Sequence, residues 1–215
     1  LNVMLALIEK FDPDQPRHPP GSPEGGQWAP AGEGGGGTGE LTASDKQAIE
    51  SYTETDYGAM NRLLRGTSAR HDIPGQEPET MKKIEALKTA LDKLPGYEGT
   101  TDRFIVSARL RGGTDYADLY QPGTVIEEKA FLSTAKTGAL AAGAWNTEGY
   151  DRIAIVGRSG RDISNYSAFK DESEVLFRPG TRFRVDRIAS EKVPPWFEGP
   201  ERPEVTRRVV HLTEV

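Results

Sequence analysis

No cysteine occurs in the 215 residues of this chain, which removes thiol nucleophiles, disulfides and thiolate metal sites together. Histidine is scarce: His18, His71 and His211 stand apart without ligand spacing. A histidine-built metal centre and a Ser-His-Asp triad are therefore set aside, and no metal is expected. Long apolar runs are missing too. The opening LNVMLALIEK is apolar for only about eight residues before the charged FDPDQPR, so it reads as neither a signal peptide nor a membrane span. It lacks an initiator Met, which fits the end of a longer polypeptide. Positive charge is in deficit, with a net charge of -6 and a pI near 5.3. That argues against a broad basic surface for nucleic acid but leaves room for a small anionic ligand held by one or two arginines.

Proline and glycine are plentiful but concentrated. Residues 1–40 hold 9 of the 24 glycines and 6 of the 15 prolines, and residues 11–40 offer too little apolar surface to offset ordering the backbone. This segment reads as a flexible tail or linker, and residues 41–215 as one domain. Within the tail, GGGGTG satisfies the letters of a G-x-G-x-x-G fingerprint. No strand pattern precedes it and no helix pattern opens from it, so it is a spacer.

The domain begins with helical periodicity. In LTASDKQAIESY, Ser44 followed by Gln47 suggests a capping box. DYGAMNRLLRG forms a second helical region and PETMKKIEALKTALDKLP a third, with Ile84, Leu87, Leu91 and Leu94 on one face before Pro95. The period then changes. DRFIVSARLRGG, GTVIEEKAFLSTA, RIAIVG, ESEVLFR, GTRFRVDRIA and TRRVVHLTEV are short β-rich runs bounded by Gly, Pro and Asp, interrupted by a short helix over 137–146. Helices first and strands afterwards indicate an α+β fold.

Three stretches carry candidate chemistry. KDESEVLF places Glu172 and Glu174 two residues apart where a strand begins, so strand alternation directs both side chains to one face. Like charges raise each other's pKa, which structures tolerate mainly at sites of chemistry or cation binding. The alternative is a solvated strand end, with Arg178, Arg182 and Arg184 as ordinary cross-strand partners. ARLRGG brings Arg111 to a strand end before two glycines, and AFLSTA puts Ser133 and Thr134 at the end of an apolar run. Each of these, alone, also has a structural reading.

Taken in order, an arginine ending one strand, a Ser-Thr ending the next and a Glu-x-Glu opening a later one resemble the mono-ADP-ribosyltransferases of the toxin-like class with an Arg, Ser-Thr-Ser, Glu-x-Glu signature. The resemblance covers about residues 41–215. ESYTETDYGAMNRLLRG looks like the family's N-terminal helix, and YSAFKDESEVLF like its acceptor loop running into the catalytic strand. One departure stands out: position 135 is alanine where the middle motif has serine. The fold implied is N-terminal helices packed on a split, mostly antiparallel β-sheet core.

The activity implied is cleavage of the nicotinamide–ribose bond of NAD, used as substrate, and glycosyl transfer of ADP-ribose to a host protein, with arginine favoured by the first glutamate of the pair. By the resemblance, Glu174 stabilises the ribose cation and holds a ribose hydroxyl, Glu172 activates the acceptor, and Ser133 orients Glu174. Arg111 pairs with the phosphates and Gly112 offers backbone to the nicotinamide amide. Thr134 shares the middle motif's role. Trp145 or Tyr150 covers the nicotinamide, Arg152 is a second phosphate contact, and Phe169 docks the target. Core packing is the alternative for Trp145, Tyr150 and Arg152. A second resemblance, of PRHPPGSPEGGQWAP to linkers of bacteriophage head-associated proteins, implies a phage origin and a place in the virion or the bacterial host cytoplasm. Competing functions are an NAD glycohydrolase and a catalytically weak phage structural protein.

Overall fold

A computed structural model describes residues 39–67, 74–106, 120–140, 149–193 and 205–215. The first helix among the described residues, α1 (Ala43–Ser51), is capped by Thr42: Asp45 N donates to Thr42 Oγ1 (3.2 Å), and Thr42 N donates to Asp45 Oδ2 (2.7 Å). The capping box is thus Thr42 with Asp45, two residues before the expected Ser44 and Gln47. An aspartate three residues after a threonine serves the same reciprocal pairing. One π-helical turn, Tyr52–Asp56, leads into α2 (Tyr57–Arg65), which stops at Gly66. There φ is 68°, and Thr67 N reaches back to Arg62 O at 2.9 Å, a Schellman closure that favours glycine.

Helix α3 (Glu77–Asp92) turns Ile84, Leu87 and Leu91 inward, and all three are buried, as is Leu94 just beyond it. With Ile49, Tyr52 and Met60 they pack on Phe131, Ile163 and Leu176 of the β-rich half. Burying each such aliphatic side chain stabilises by about 1.5–3 kcal/mol. Among the described residues, no helix is long and apolar enough to cross a membrane.

Lys93, just past α3, donates to Asp45 Oδ2 at 2.6 Å and ties the start of α1 to the end of α3. This bond, with help from Thr42, holds the Asp45 carboxyl down to about 2. Because the folded value lies below the ordinary one, the stability from this contact is present above about pH 4 and is lost as pH falls toward 2. Asp45→Ala is expected to remove about 1–2 kcal/mol at pH 7. Urea denaturation from pH 7 to pH 3 should show the gap between parent and variant narrowing only below about pH 4.

Among the described residues seven strands follow: β1 (Gly96–Val106), β2 (Val125–Glu128), β3 (Leu132–Lys136), β4 (Tyr150–Asp162), β5 (Glu174–Phe177), β6 (Thr181–Val193) and β7 (Val205–Glu214). Their order is β1-β3-β5-β4-β7-β6-β2, with β1 also pairing β4. Strands β1, β3, β5 and β4 therefore close a four-membered circuit, from which β7, β6 and β2 extend. Only β4–β7 is parallel among these pairings. This is the split, mostly antiparallel α+β core expected from the sequence. Ile105, Ile153, Ile155, Val175, Phe177, Phe183 and Leu212 fill its interior.

Element ends differ from the periodicity reading. GTVIEEKAFLSTA yields two strands, because Lys129 to Phe131 leave the ladder between β2 and β3. Strand β1 starts six residues earlier than DRFIV, since Gly96 to Thr101 pair with β4 despite their weak apolar pattern. The expected helix over 137–146 begins as a turn at 137–140, and the remainder lies outside the described residues.

Strand β4 joins the two parts, and two glycines let it do so. A Cβ on Gly157 would stand 2.6 Å from the Phe177 ring, and one on Gly160 would stand 2.7 Å from Val175 Cγ1. Between them the β1–β4 register shifts, and the Arg158 and Ser159 N–H groups donate to Glu214 Oε2 at 2.6 and 2.9 Å. The carboxylate replaces ladder partners that the bulge removes.

Candidate active site

Strand β3 lies between β1 and β5, so its side chains and backbone meet groups from both. Register places Ser133 opposite Leu176, Thr134 opposite Val175 and Ala135 opposite Glu174. Thr134 Oγ1 donates to Val175 O at 2.7 Å and locks the two strands together. From the other side Arg103 of β1, 1% exposed, donates through Nη1 to Ser133 O at 3.0 Å. The departure at Ala135 thus falls directly across from Glu174, where β3 offers no side-chain donor.

Glu174 and Glu172 are 1% and 5% exposed. This removes the reading of a solvated strand end, because a buried carboxylate must be compensated. Their geometry corrects a second expectation. Only Glu174 is on the strand; Glu172 closes a single 3₁₀ turn, Lys170–Glu172, and Ser173 between them is left-handed, with φ 48° and ψ 49°. Strand alternation therefore does not place the pair. A left-handed serine does, in a conformation costing an L-residue about 1–2 kcal/mol, and its carbonyl is held by Lys136 N at 3.0 Å.

The segment between β4 and β5 folds back on itself. Ile163 N donates to Glu174 O (3.0 Å), and the Tyr166 and Ser167 N–H groups both donate to Ile163 O (2.8 Å each). This brings Ser167, 2% exposed, to the carboxylate, and its Oγ donates to Glu174 Oε2 at 3.1 Å. Phe169 follows at intermediate exposure, with Lys170 and Asp171 in solvent.

The π-helical turn supplies the floor. Tyr52, fully buried, shares a hydrogen bond with Ser133 Oγ (3.3 Å) and accepts one from Asn61 Nδ2 (3.3 Å), while Asn61 Oδ1 accepts from Phe131 N (3.1 Å). Thr53 Oγ1 accepts from Ala168 N at 2.9 Å. A π turn inserts one extra residue and rotates its neighbours' side chains, and here adjacent residues serve β3 and the loop.

The expected site residues thus divide. Glu174 opens the strand that pairs with the one carrying Ser133 and Thr134, and Glu172 and Phe169 lie on the loop leading into it. Ser133, expected on Glu174, shows its bond to Tyr52, and Ser167 shows the bond to Glu174. Arg152 on β4 is paired with Asp102 Oδ1 (3.4 Å) and Glu191 Oε2 (3.0 Å), so a phosphate would compete with two carboxylates. Burial pushes the Asp102 carboxyl up, and Arg152 opposes that. Tyr150 packs buried against Phe104, the core-packing alternative. Arg111, Gly112 and Trp145 lie outside the described residues. Sequence reasoning missed Arg103, Tyr52, Asn61, Thr53 and Ser167. The one signal was an arginine at the start of an apolar strand.

The profile of the ADP-ribosyltransferase exoenzyme family matches residues 36–101 and 110–211. The chain belongs to this family. It is 37% identical over 151 residues to the Mycobacterium avium protein Mav, covering 67% of this chain and 16% of Mav. It is 31% identical over 148 residues to the NAD(+)–protein-arginine ADP-ribosyltransferase Tre1 of Serratia proteamaculans, covering 67% of this chain and 29% of Tre1. The chain therefore spans well under half the length of either relative. Among solved structures it resembles the Vibrio splendidus ADP-ribosyltransferase Vis in complex with agmatine, with a TM-score of 0.56 and 22% identity over 99% of this chain and 83% of Vis. That likeness bears out the fold.

Proposed function

We propose that this chain is an NAD-dependent mono-ADP-ribosyltransferase that moves ADP-ribose from NAD to a protein arginine and releases nicotinamide. The observation that carries it is the buried pair Glu172 and Glu174 at the start of the strand paired with Ser133 and Thr134, in a chain of this family. The names of its relatives, and the guanidinium compound agmatine in the Vis structure, support arginine as the acceptor.

In this reading the bond from ribose C1′ to the nicotinamide nitrogen breaks, and its electron pair leaves with nicotinamide. Glu174 stabilises the resulting cation. The acceptor guanidinium nitrogen then bonds to C1′, and its proton passes to Glu172. Ser133 and Thr134 fix the strand beside Glu174, and Phe169 docks the acceptor. Arg111 and Gly112 hold the dinucleotide, Trp145 covers the nicotinamide, and Arg152 reaches a phosphate only by exchanging its present partners. Residues 1–40 serve as a linker of bacteriophage head-associated type by sequence likeness alone, which would put the enzyme in a virion or, after delivery, in the host cytoplasm.

Incubation with NAD labelled in the adenosine moiety, plus agmatine or bacterial lysate, tests this reading. The expected result is nicotinamide release with label fixed to agmatine and to lysate protein. Label recovered only as free ADP-ribose would make the chain a glycohydrolase. Intact NAD would make it a non-catalytic binding protein.

A further inference from the structure

The loop that carries Phe169 and the strand that carries Glu174 meet at one hydroxyl. Ser167 Oγ donates to Glu174 Oε2 (3.1 Å) and accepts from Phe169 N (3.1 Å), using its single proton on the carboxylate and a lone pair on the loop backbone. The surroundings leave it little freedom. Its side chain is buried, its own N–H is held by Ile163 O, and the next residue is pinned by the Ala168 N bond to Thr53 Oγ1. Ile163 is wholly buried in the helix-facing core, and its N–H is bonded to Glu174 O. Both ends of the segment are therefore fixed to the frame that holds the carboxylate. Ala135, across from Glu174, contributes no hydroxyl of its own.

We infer that Ser167 is a positioning residue that sets the aim of Glu174 and ties it to the acceptor-docking turn at Phe169. The inference rests on the roles given above to Glu174 and Phe169. A hydrogen bond to a charged oxygen is strong and directional, so losing it removes one restraint on the carboxylate's rotation. Small losses of aim at a reacting centre have large effects on rate. The same loss unties Phe169 N, so the acceptor side is affected by the same substitution.

The test compares Ser167→Ala and Ser167→Thr with the parent, each normalised to its folded fraction by thermal melt. Three quantities are read: kcat for NAD hydrolysis without acceptor, NAD affinity by calorimetry, and KM for agmatine in transfer. Ser167→Ala is expected to lower hydrolytic kcat about tenfold with NAD affinity changed less than about twofold, and to raise agmatine KM at least about threefold. Ser167→Thr, which keeps the hydroxyl, should recover most of both. A merely structural role would lower the melting temperature and move neither normalised constant. Unchanged constants in Ser167→Ala, or equal losses in the Ala and Thr variants, would overturn the inference. Glu174→Gln separates the two readings. If it stays active, the proposed function fails, whereas if it is inactive while Ser167→Ala matches the parent, only the role of Ser167 fails.

Discussion

Replacing Glu174 by Gln is expected to abolish both NAD hydrolysis and transfer to agmatine, by about 10³-fold or more, whereas Glu172→Gln should lose transfer by roughly 10² to 10⁴ and keep slow hydrolysis. Both reactions pass through the same ribose cation, so a carboxylate that stabilises it serves both. An acceptor guanidinium must shed a proton, and water needs less help. The structure gives the two carboxylates different surroundings that suit this division. Glu174 begins β5 across from the middle motif and receives the Ser167 hydroxyl. Glu172 ends a 3₁₀ turn whose first two residues, Lys170 and Asp171, are solvent-exposed, and its backbone N–H is held by Phe169 O at 3.2 Å. Gln keeps the shape of each side chain while removing the charge, so the comparison isolates electrostatics. Calorimetry with NAD should show binding retained in both variants, and initial rates of nicotinamide release and agmatine labelling decide the rest. Equal loss of the two activities in each variant would show that the pair does not divide the work.

The largest expected effect on folding comes from the joint of the sheet. Gly157→Ala is expected to destabilise by about 1–3 kcal/mol, a melting-temperature fall of roughly 2–12 °C for a domain of this size. Its new methyl would stand 2.6 Å from Phe177 Cζ and 2.7 Å from Cε1, well inside the 3.5–4.0 Å at which carbon atoms attract. The ring has no easy retreat: Phe177 is fully buried and meets Phe183 edge to face at a centroid distance of 5.4 Å. Overpacking is therefore relieved only by shifting β4 or β5, and β5 carries Glu174 at its start. Phe177→Leu shortens the obstacle and has its own packing cost. If the contact is the cause, the double variant loses less than the sum of the two singles, as measured by thermal or urea denaturation. Simple additivity would show that the methyl is accommodated elsewhere.

Local order along the chain was readable from residue types. The apolar spacing of Ile84, Leu87, Leu91 and Leu94 selects a helix with one buried face, and that face is where the core lies. Alternation and turn residues marked most of the strands, because period and punctuation are local properties of the backbone. The α+β class and the sequence Arg, Ser-Thr, Glu-x-Glu were likewise present in the bare sequence. Boundaries set by pairing were not. Strand β1 begins at Gly96, and β4 reaches Asp162, only because each has a partner there. The order of strands, with β4 parallel to β7 and antiparallel to β1, follows from which faces can be buried together, a property of the whole chain.

The site shows the same division at the scale of single atoms. That two glutamates occur two residues apart is sequence; that both are buried, and that a left-handed Ser173 rather than strand alternation sets their relation, is tertiary. Ser167 lies seven residues before Glu174, a separation with no periodic meaning, and it reaches the carboxylate because Ile163 N and Glu174 O close the loop between them. Tyr52 meets Ser133 across 81 residues of chain. Residue identity therefore determined which chemical groups this protein possesses, and chain closure through the buried core determined which of them stand within hydrogen-bonding distance.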